Sequence, residues 1–159
     1  MPDAIEISQA HKRDIPALCE LLGLLFAQEA EFQPDPAAQQ RALSGIIADQ
    51  TIGTIFVARH QEKTVGMVSL LYSISTALGG RVATLEDMVV HPEFRGAGIG
   101  ARLLAHAKDH AFNTGCRRIT LLTDRTNPAA QRFYQRQGFN LSDMVPMRLL
   151  LKPETDFSE

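Results

Sequence analysis

Gly96, Gly98 and Gly100 crowd together between a stretch that reads as a strand and one that reads as a helix. Val82 to Val90 is rich in Val, Thr and Leu, the composition of a strand. Beyond the glycines, Ile99, Leu103, Leu104, Ala107 and Ala111 recur at helical spacing and make one apolar face. A glycine-rich turn that opens a helix leaves backbone N–H groups bare, and the helix dipole adds partial positive charge there. Together they make a cradle for a phosphate or another anion. The spacing is G-x-G-x-G, so it misses the dinucleotide pattern G-x-G-x-x-G, and no Lys-Ser/Thr pair follows as in nucleoside-triphosphate loops.

A second constellation lies at Asn127 to Phe139, N-P-A-A-Q-R-F-Y-Q-R-Q-G-F. Asn127 is a natural N-cap, Pro128 suits the first helical position and Gly138 the C-terminal cap. The spacing predicts a short helix between a strand, Ile119 to Thr123, and a further extended segment. Ala130 and Tyr134 fall on one face of it, and the small residue leaves room beside the ring. A phenol has a pKa near ~10, so Tyr134 holds a proton at neutral pH and can donate it. Glu86 and Asp87 are adjacent carboxylates on the first strand. Neighbours on a strand point to opposite faces, so at most one of them faces a given pocket. A carboxylate there can attract an ammonium group or take its proton.

These two motifs, Arg95, Gly98 and Gly100 as R-x-x-G-x-G and then the Asn127 helix with its F-Y and G-F, resemble the signatures of the GNAT N-acetyltransferase superfamily. The resemblance covers Thr64 to Phe139 well and the flanks loosely. It implies acetyl-CoA as the acetyl donor, carried into a gap where the fourth and fifth strands splay apart. Met88, Val89 and Val90 would meet the acetyl and pantetheine amides through backbone groups. Arg95, Gly96, Ala97, Gly98, Ile99, Gly100 and Ala101 would hold the pyrophosphate. Tyr134 would protonate the departing thiolate beside Ala130. Asn127 would bind the cofactor or only cap its helix, and Arg136 belongs to local positive charge suited to the 3′-phosphate. Members acting on diamines and other small amines also carry L-E-D, as Leu85, Glu86 and Asp87 do here. Glu86 is thus the candidate for attracting or deprotonating the acceptor. The glutamate base of the histone-acetylating branch aligns with Thr84, so that branch's mechanism does not transfer. Glu29 and Glu31, between the first two helices, and Tyr72 are further candidates for the acceptor pocket, with Asp87.

To position these groups the chain needs a sheet with helices around it. Ala4 to Ser8 reads as a first strand. Asp14 caps a helix with Pro16 in its first turn, and Leu18, Leu21, Leu22 and Leu25 form its core stripe. Asp35-Pro36 starts a second helix that buries Leu43, Ile46 and Ile47. Thr54 to Arg59 and Thr64 to Ser73 are strands joined by a polar turn, and Gly79-Gly80 leads into the strand before the glycine loop. Asn140 to Lys152 reads as one or two final strands. The fold class expected is α/β (α+β), a mixed and mostly antiparallel sheet with helices on both faces. One domain over 1–152 is expected, followed by a polar tail over 153–159.

The 159 residues suffice for one domain with a real core, and the formal net charge of -2 argues against general nucleic-acid binding. Cys19 and Cys116 lack metal-ligand spacing and a disulfide framework. His106 and His110 stand at i, i+4, but Ala107 occupies the place where a metalloprotease helix needs Glu. No G-x-S-x-G elbow is present. No run is long enough to span a membrane and the N-terminus is no signal peptide, which points to a cytoplasmic protein. The expected activity is acetyl transfer to a small primary amine, by a chain that pairs as a homodimer like many members of the family. The alternatives are a protein N-terminus or lysine as acceptor, or a non-catalytic acyl-CoA-binding module.

Overall fold

A computed structural model describes residues 4–28 and 35–151. Five strands lie in sequence order across one sheet: β1 (Ile5–Gln9), β2 (Gly53–His60), β3 (Lys63–Ser75), β4 (Gly80–Val90) and β5 (Ile119–Leu121). The first four pair antiparallel and β5 joins β4 in parallel. The parallel step requires a crossover, which is α3 (Ile99–Asn113). The remaining helices are α1 (Ile15–Ala27), α2 (Pro36–Ala48) and α4 (Pro128–Arg136).

Each face of the sheet buries its own apolar set. On one side Leu18, Leu21 and Leu22 of α1 and Leu43 of α2 pack on Ile55, Val57, Met67 and Val89. On the other, Ile99, Leu103, Leu104, Ala107 and Ala111 of α3 cover Phe56, Val68, Leu70, Ala83 and Leu85. The α3 stripe is the one its sequence spacing predicts. His106 and His110 set their rings edge-on to Phe56, with centroids 4.9 and 5.1 Å away, so they act as packing groups at the margin of this face. Burial, together with the nearby Arg81 and His106, holds the His110 imidazole below its ordinary pKa.

Two expectations need correction. Asp14 stands at the N-cap position of α1, yet its side chain makes no cap bond. Its carboxylate accepts from the His11 N–H at 2.7 Å and from the Arg59 guanidinium at 2.7 Å, tying the start of α1 to β2. The final strands predicted from Asn140 onward are not formed over residues 140–151. A strand exists only through a neighbour's ladder. This stretch has no such neighbour among the described residues, and Pro146 removes a donor from it. The tail over 153–159 lies outside the described residues.

Candidate active site

The site is built where β4 departs from regular pairing. Met67 pairs with Val89 and Ser69 with Glu86, so Val68 alone faces Asp87 and Met88. This is a β-bulge, and Asp87 takes the left-handed conformation it needs, with φ 56°. The extra residue changes which side chains face which helix. Leu85, Met88 and Val90 all pack toward the α3 cluster, while Val89 joins the α1 side. Glu86, on the face opposite Leu85, is exposed. Its cross-strand partner Ser69 is 1% exposed, and the Ser69 hydroxyl has no hydrogen-bond partner among the described residues.

The outer edge of β4 opens at the same point. Its ladder with β5 runs only from Ala83 to Leu85, opposite Ile119 to Leu121, and β5 then stops. Beyond it, Glu86 to Val90 have no strand on that side among the described residues. The Val90 carbonyl accepts from Arg95 Nε at 3.1 Å rather than from a strand. By the alternation of the pleat, Met88 presents its backbone groups on that open edge as well. Such groups are open to water or to a ligand with amides of its own.

The glycine loop follows directly. His91 caps a short 3₁₀ turn, Pro92–Phe94, its Nδ1 accepting from the Glu93 N–H at 3.1 Å. Gly96 and Gly98 have φ of 85° and 80°, which side chains rarely adopt. Gly98 is the N-cap residue of α3 and has no side chain to satisfy the bare N–H groups. At Gly100 a Cβ would stand 3.6 Å from Met88 Cε and 3.6 Å from Phe133 Cζ, so β4, α3 and α4 converge there.

On α4, Asn127 accepts the Ala130 N–H at 3.1 Å, so capping is its observed engagement. Phe133 and Tyr134 both pack on the α3-side core, and the Tyr134 ring meets Phe133 and Phe139 edge-on at 5.1 and 5.9 Å. Burial pushes the Tyr134 phenol up to about 12, so it keeps its proton across the physiological range. Arg136 is exposed in the last turn of the helix.

The structure therefore gathers Met88, Val90, Gly100 and the α4 aromatics around one corner of the sheet. Tyr72 is elsewhere: it packs on the α3 face, away from Glu86, with its hydroxyl 2.7 Å from Thr54 Oγ1 and the Arg81 guanidinium 3.5 Å from its ring. Glu29 and Glu31 lie outside the described residues. A cleft of ≈ 830 Å³ opens on the α1 side, lined by Arg13, Glu20, Arg59, Lys63 and His91 among others, and none of the predicted site residues line it. Ser69 and the bulge at Asp87 went unpredicted. Neither a lone serine in an apolar strand nor an aspartate in left-handed conformation leaves a pattern in the sequence.

A bulged strand with an open edge thus runs into a glycine-opened helix beside a half-buried tyrosine. Residues 16–139 match the family described as "Acetyltransferase (GNAT) family". The chain belongs to this family and is an N-acetyltransferase. It is 30% identical over 137 residues to the uncharacterized N-acetyltransferase YhfO of Bacillus subtilis, covering 85% of this chain and 89% of that one. It is 28% identical to the aminoalkylphosphonate N-acetyltransferase of Salmonella typhimurium, with 86% of each chain covered. Among solved structures, an integron cassette protein from the mobile metagenome of Cole Harbour Salt Marsh superposes with a TM-score of 0.81 at 28% identity, covering 92% of this chain and 91% of that one.

Proposed function

We propose that the chain transfers an acetyl group from acetyl-CoA to a primary amine of a small molecule, acting as a cytoplasmic homodimer. The observation that carries this reading is the concurrence of the open β4 edge with the bare N-terminus of α3. The first suits an amide-bearing arm and the second a pyrophosphate. The residues assigned to the donor are Met88, Val89, Val90 and Arg95 to Ala101, with Ala130 beside the arm and Arg136 as the cation for the 3′-phosphate. Asn127 is retained as their support through its cap.

Tyr134 is the general acid in this reading. Burial keeps its phenol protonated on arrival, and the same burial disfavours the charge of a departing thiolate that would take the proton. Glu86 is assigned to the acceptor, with Asp87 holding the bulge that turns it outward. An exposed carboxylate at the opening can attract an ammonium group and take its proton, directly or through one water. Glu29 and Glu31 would add to the same attraction. A small acceptor is supported by the relative that acts on aminoalkylphosphonates, itself a small amine.

The test is release of free CoA thiol from acetyl-CoA against a panel of small mono- and diamines, amino acids and a lysine peptide. Turnover with small amines, and a loss of about 10²–10⁴ in kcat for Tyr134→Phe with acetyl-CoA affinity retained, is expected. Turnover on the peptide alone would move the acceptor to proteins. Full activity of Tyr134→Phe would remove its acid role.

A further inference from the structure

We propose that Ser69 is a positioning residue for Glu86: with the amine bound, its hydroxyl donates to the Glu86 carboxylate and holds it toward the nitrogen. The inference rests on the acceptor role proposed for Glu86 and carries it to the strand beside it.

The placement comes from the ladder. Ser69 on β3 is paired with Glu86 on β4. Val68 and Leu70, on either side of Ser69 in the chain, both pack toward α3, so Ser69 faces the α1 side. Glu86 follows Leu85, which also packs toward α3, and so faces the same way as Ser69. Side chains directly opposed across an antiparallel pair have Cβ atoms about 4.5–5.5 Å apart. A glutamate is long enough to span that gap to a hydroxyl.

The free chain gives the hydroxyl nothing to do. Among the described residues the buried polar side chains are Asp14, Thr54 and Ser69. Asp14 is bonded to His11 and Arg59, and Thr54 to Tyr72. Ser69 is the exception, with its oxygen unpartnered. On β2 it is registered against Ile55, an apolar core residue. Alanine would fill this position without leaving a buried hydroxyl unmet.

Acceptor binding supplies the partner. Glu86 is exposed in the free chain, and water serves its carboxylate. An amine seated over it displaces that water, and a carboxylate stripped of water needs donors. The ammonium is one, and the Ser69 O–H, one strand away, is the other. Held from both sides, the carboxylate takes the ammonium proton while Ser69 keeps its own. Asp87, the next residue of β4, lies in the bulge. The charged side chains of α1 and α2, the helices over this face, are Glu20 and Arg41. They line two other pockets, and neither of those includes Ser69 or Glu86. Cys19 is the remaining titratable group of these helices, and burial pushes its thiol up, so it stays neutral.

The experiment follows kcat against pH, with acetyl-CoA affinity, for the native chain, Ser69→Ala, Glu86→Gln and the double variant. The acceptor is putrescine, or whichever amine of the panel reacts faster. Ser69→Ala deletes an unpartnered atom, so it should fold and bind acetyl-CoA as the native chain does. Its kcat should fall about 10- to 100-fold, the worth of a hydrogen bond to a charged group. A hydrogen bond to the ionised form lowers a carboxyl pKa, so its loss should move the acid limb of kcat up by about one unit. In the Glu86→Gln background the same substitution should cause no further loss, because the two residues act as a unit. An unmoved acid limb, or an equal loss in both backgrounds, would overturn the role of Ser69 and leave that of Glu86 standing. Full turnover in Glu86→Gln, or no amine-dependent turnover in the native chain, removes the acceptor reading itself and the proposal with it.

Discussion

At the scale of residues, the site rests on a few groups whose surroundings set their behaviour. Burial favours the neutral form of Tyr134, so the folded chain holds that proton between 10.0 and about 12 while the unfolded chain gives it up. Tyr134 therefore contributes stability that is full below pH 10.0 and is lost as pH rises through the window, about 3 kcal/mol in all. Chemical denaturation from pH 9 to 11.5 should show this slope in the native chain and a flatter one in Tyr134→Phe; equal slopes would mean the phenol is solvated. The pH–rate profile should likewise show no tyrosine limb below pH 11. Glu86→Gln should lower turnover on the best amine while leaving acetyl-CoA affinity unchanged, with a larger loss for diamines if attraction is its role. Ser69 makes a different prediction. A buried hydroxyl without a partner costs about 1–3 kcal/mol, so Ser69→Ala should raise stability by roughly 1 kcal/mol, seen as a higher denaturant midpoint. A lower midpoint would show that the hydroxyl is satisfied.

At the scale of elements, the bulge in β4 and the glycine turn into α3 are the two departures from regular structure at the corner proposed to bind acetyl-CoA. Asp87→Val should cost about 1–2 kcal/mol, because a β-branched residue resists the left-handed conformation at φ 56°. It should also impair catalysis by moving Met88 and Glu86. Gly98→Asp acts differently: φ 80° strains any side chain, but aspartate enters the left-handed region more readily than most residues and caps a helix well. Its carboxylate would then occupy the bare N–H groups itself, so the fold should survive while calorimetry shows loss of acetyl-CoA binding. Unchanged affinity would separate the turn from the cofactor. Much of this architecture was legible in the residues. The α3 stripe, the caps at Asn127 and Asp35 and the strands from Gly53 to Val90 follow local periodicity and turn chemistry, which sequence displays directly. The bulge did not show, because a register shift is decided between strands and leaves each strand's own alternation looking regular. The surroundings of Tyr72 did not show for a related reason: its pairing with Ala83 and the Arg81 guanidinium over its ring are both settled at long range. The final strands expected from Asn140 onward are not formed over residues 140–151, because apolar alternation alone supplies no neighbouring ladder.

At the scale of the whole molecule, the two apolar layers make the fold, and one buried ion pair links them to the chain's start. Arg59 and Asp14 lie 2.7 Å apart, with side chains 14% and 6% exposed. Burial alone would raise the Asp14 carboxyl, but the His11 N–H and the Arg59 guanidinium outweigh it and hold its pKa below 3.8. The pair thus stabilises the fold above about pH 4 and loses that contribution as acid protonates Asp14. Asp14→Ala should cost about 3 kcal/mol, because it leaves the Arg59 charge buried and unmatched.

The central proposal for the molecule is acetyl transfer at the corner of β4, α3 and α4. The measurement that bears on it most directly is isothermal titration of acetyl-CoA into the native chain and Gly98→Asp, with thiol release followed in the same samples after a small amine is added. Binding and amine-dependent thiol release in the native chain, both lost in a folded Gly98→Asp, is the predicted result. Amine-dependent thiol release that persists in Gly98→Asp with unchanged acetyl-CoA affinity would contradict it.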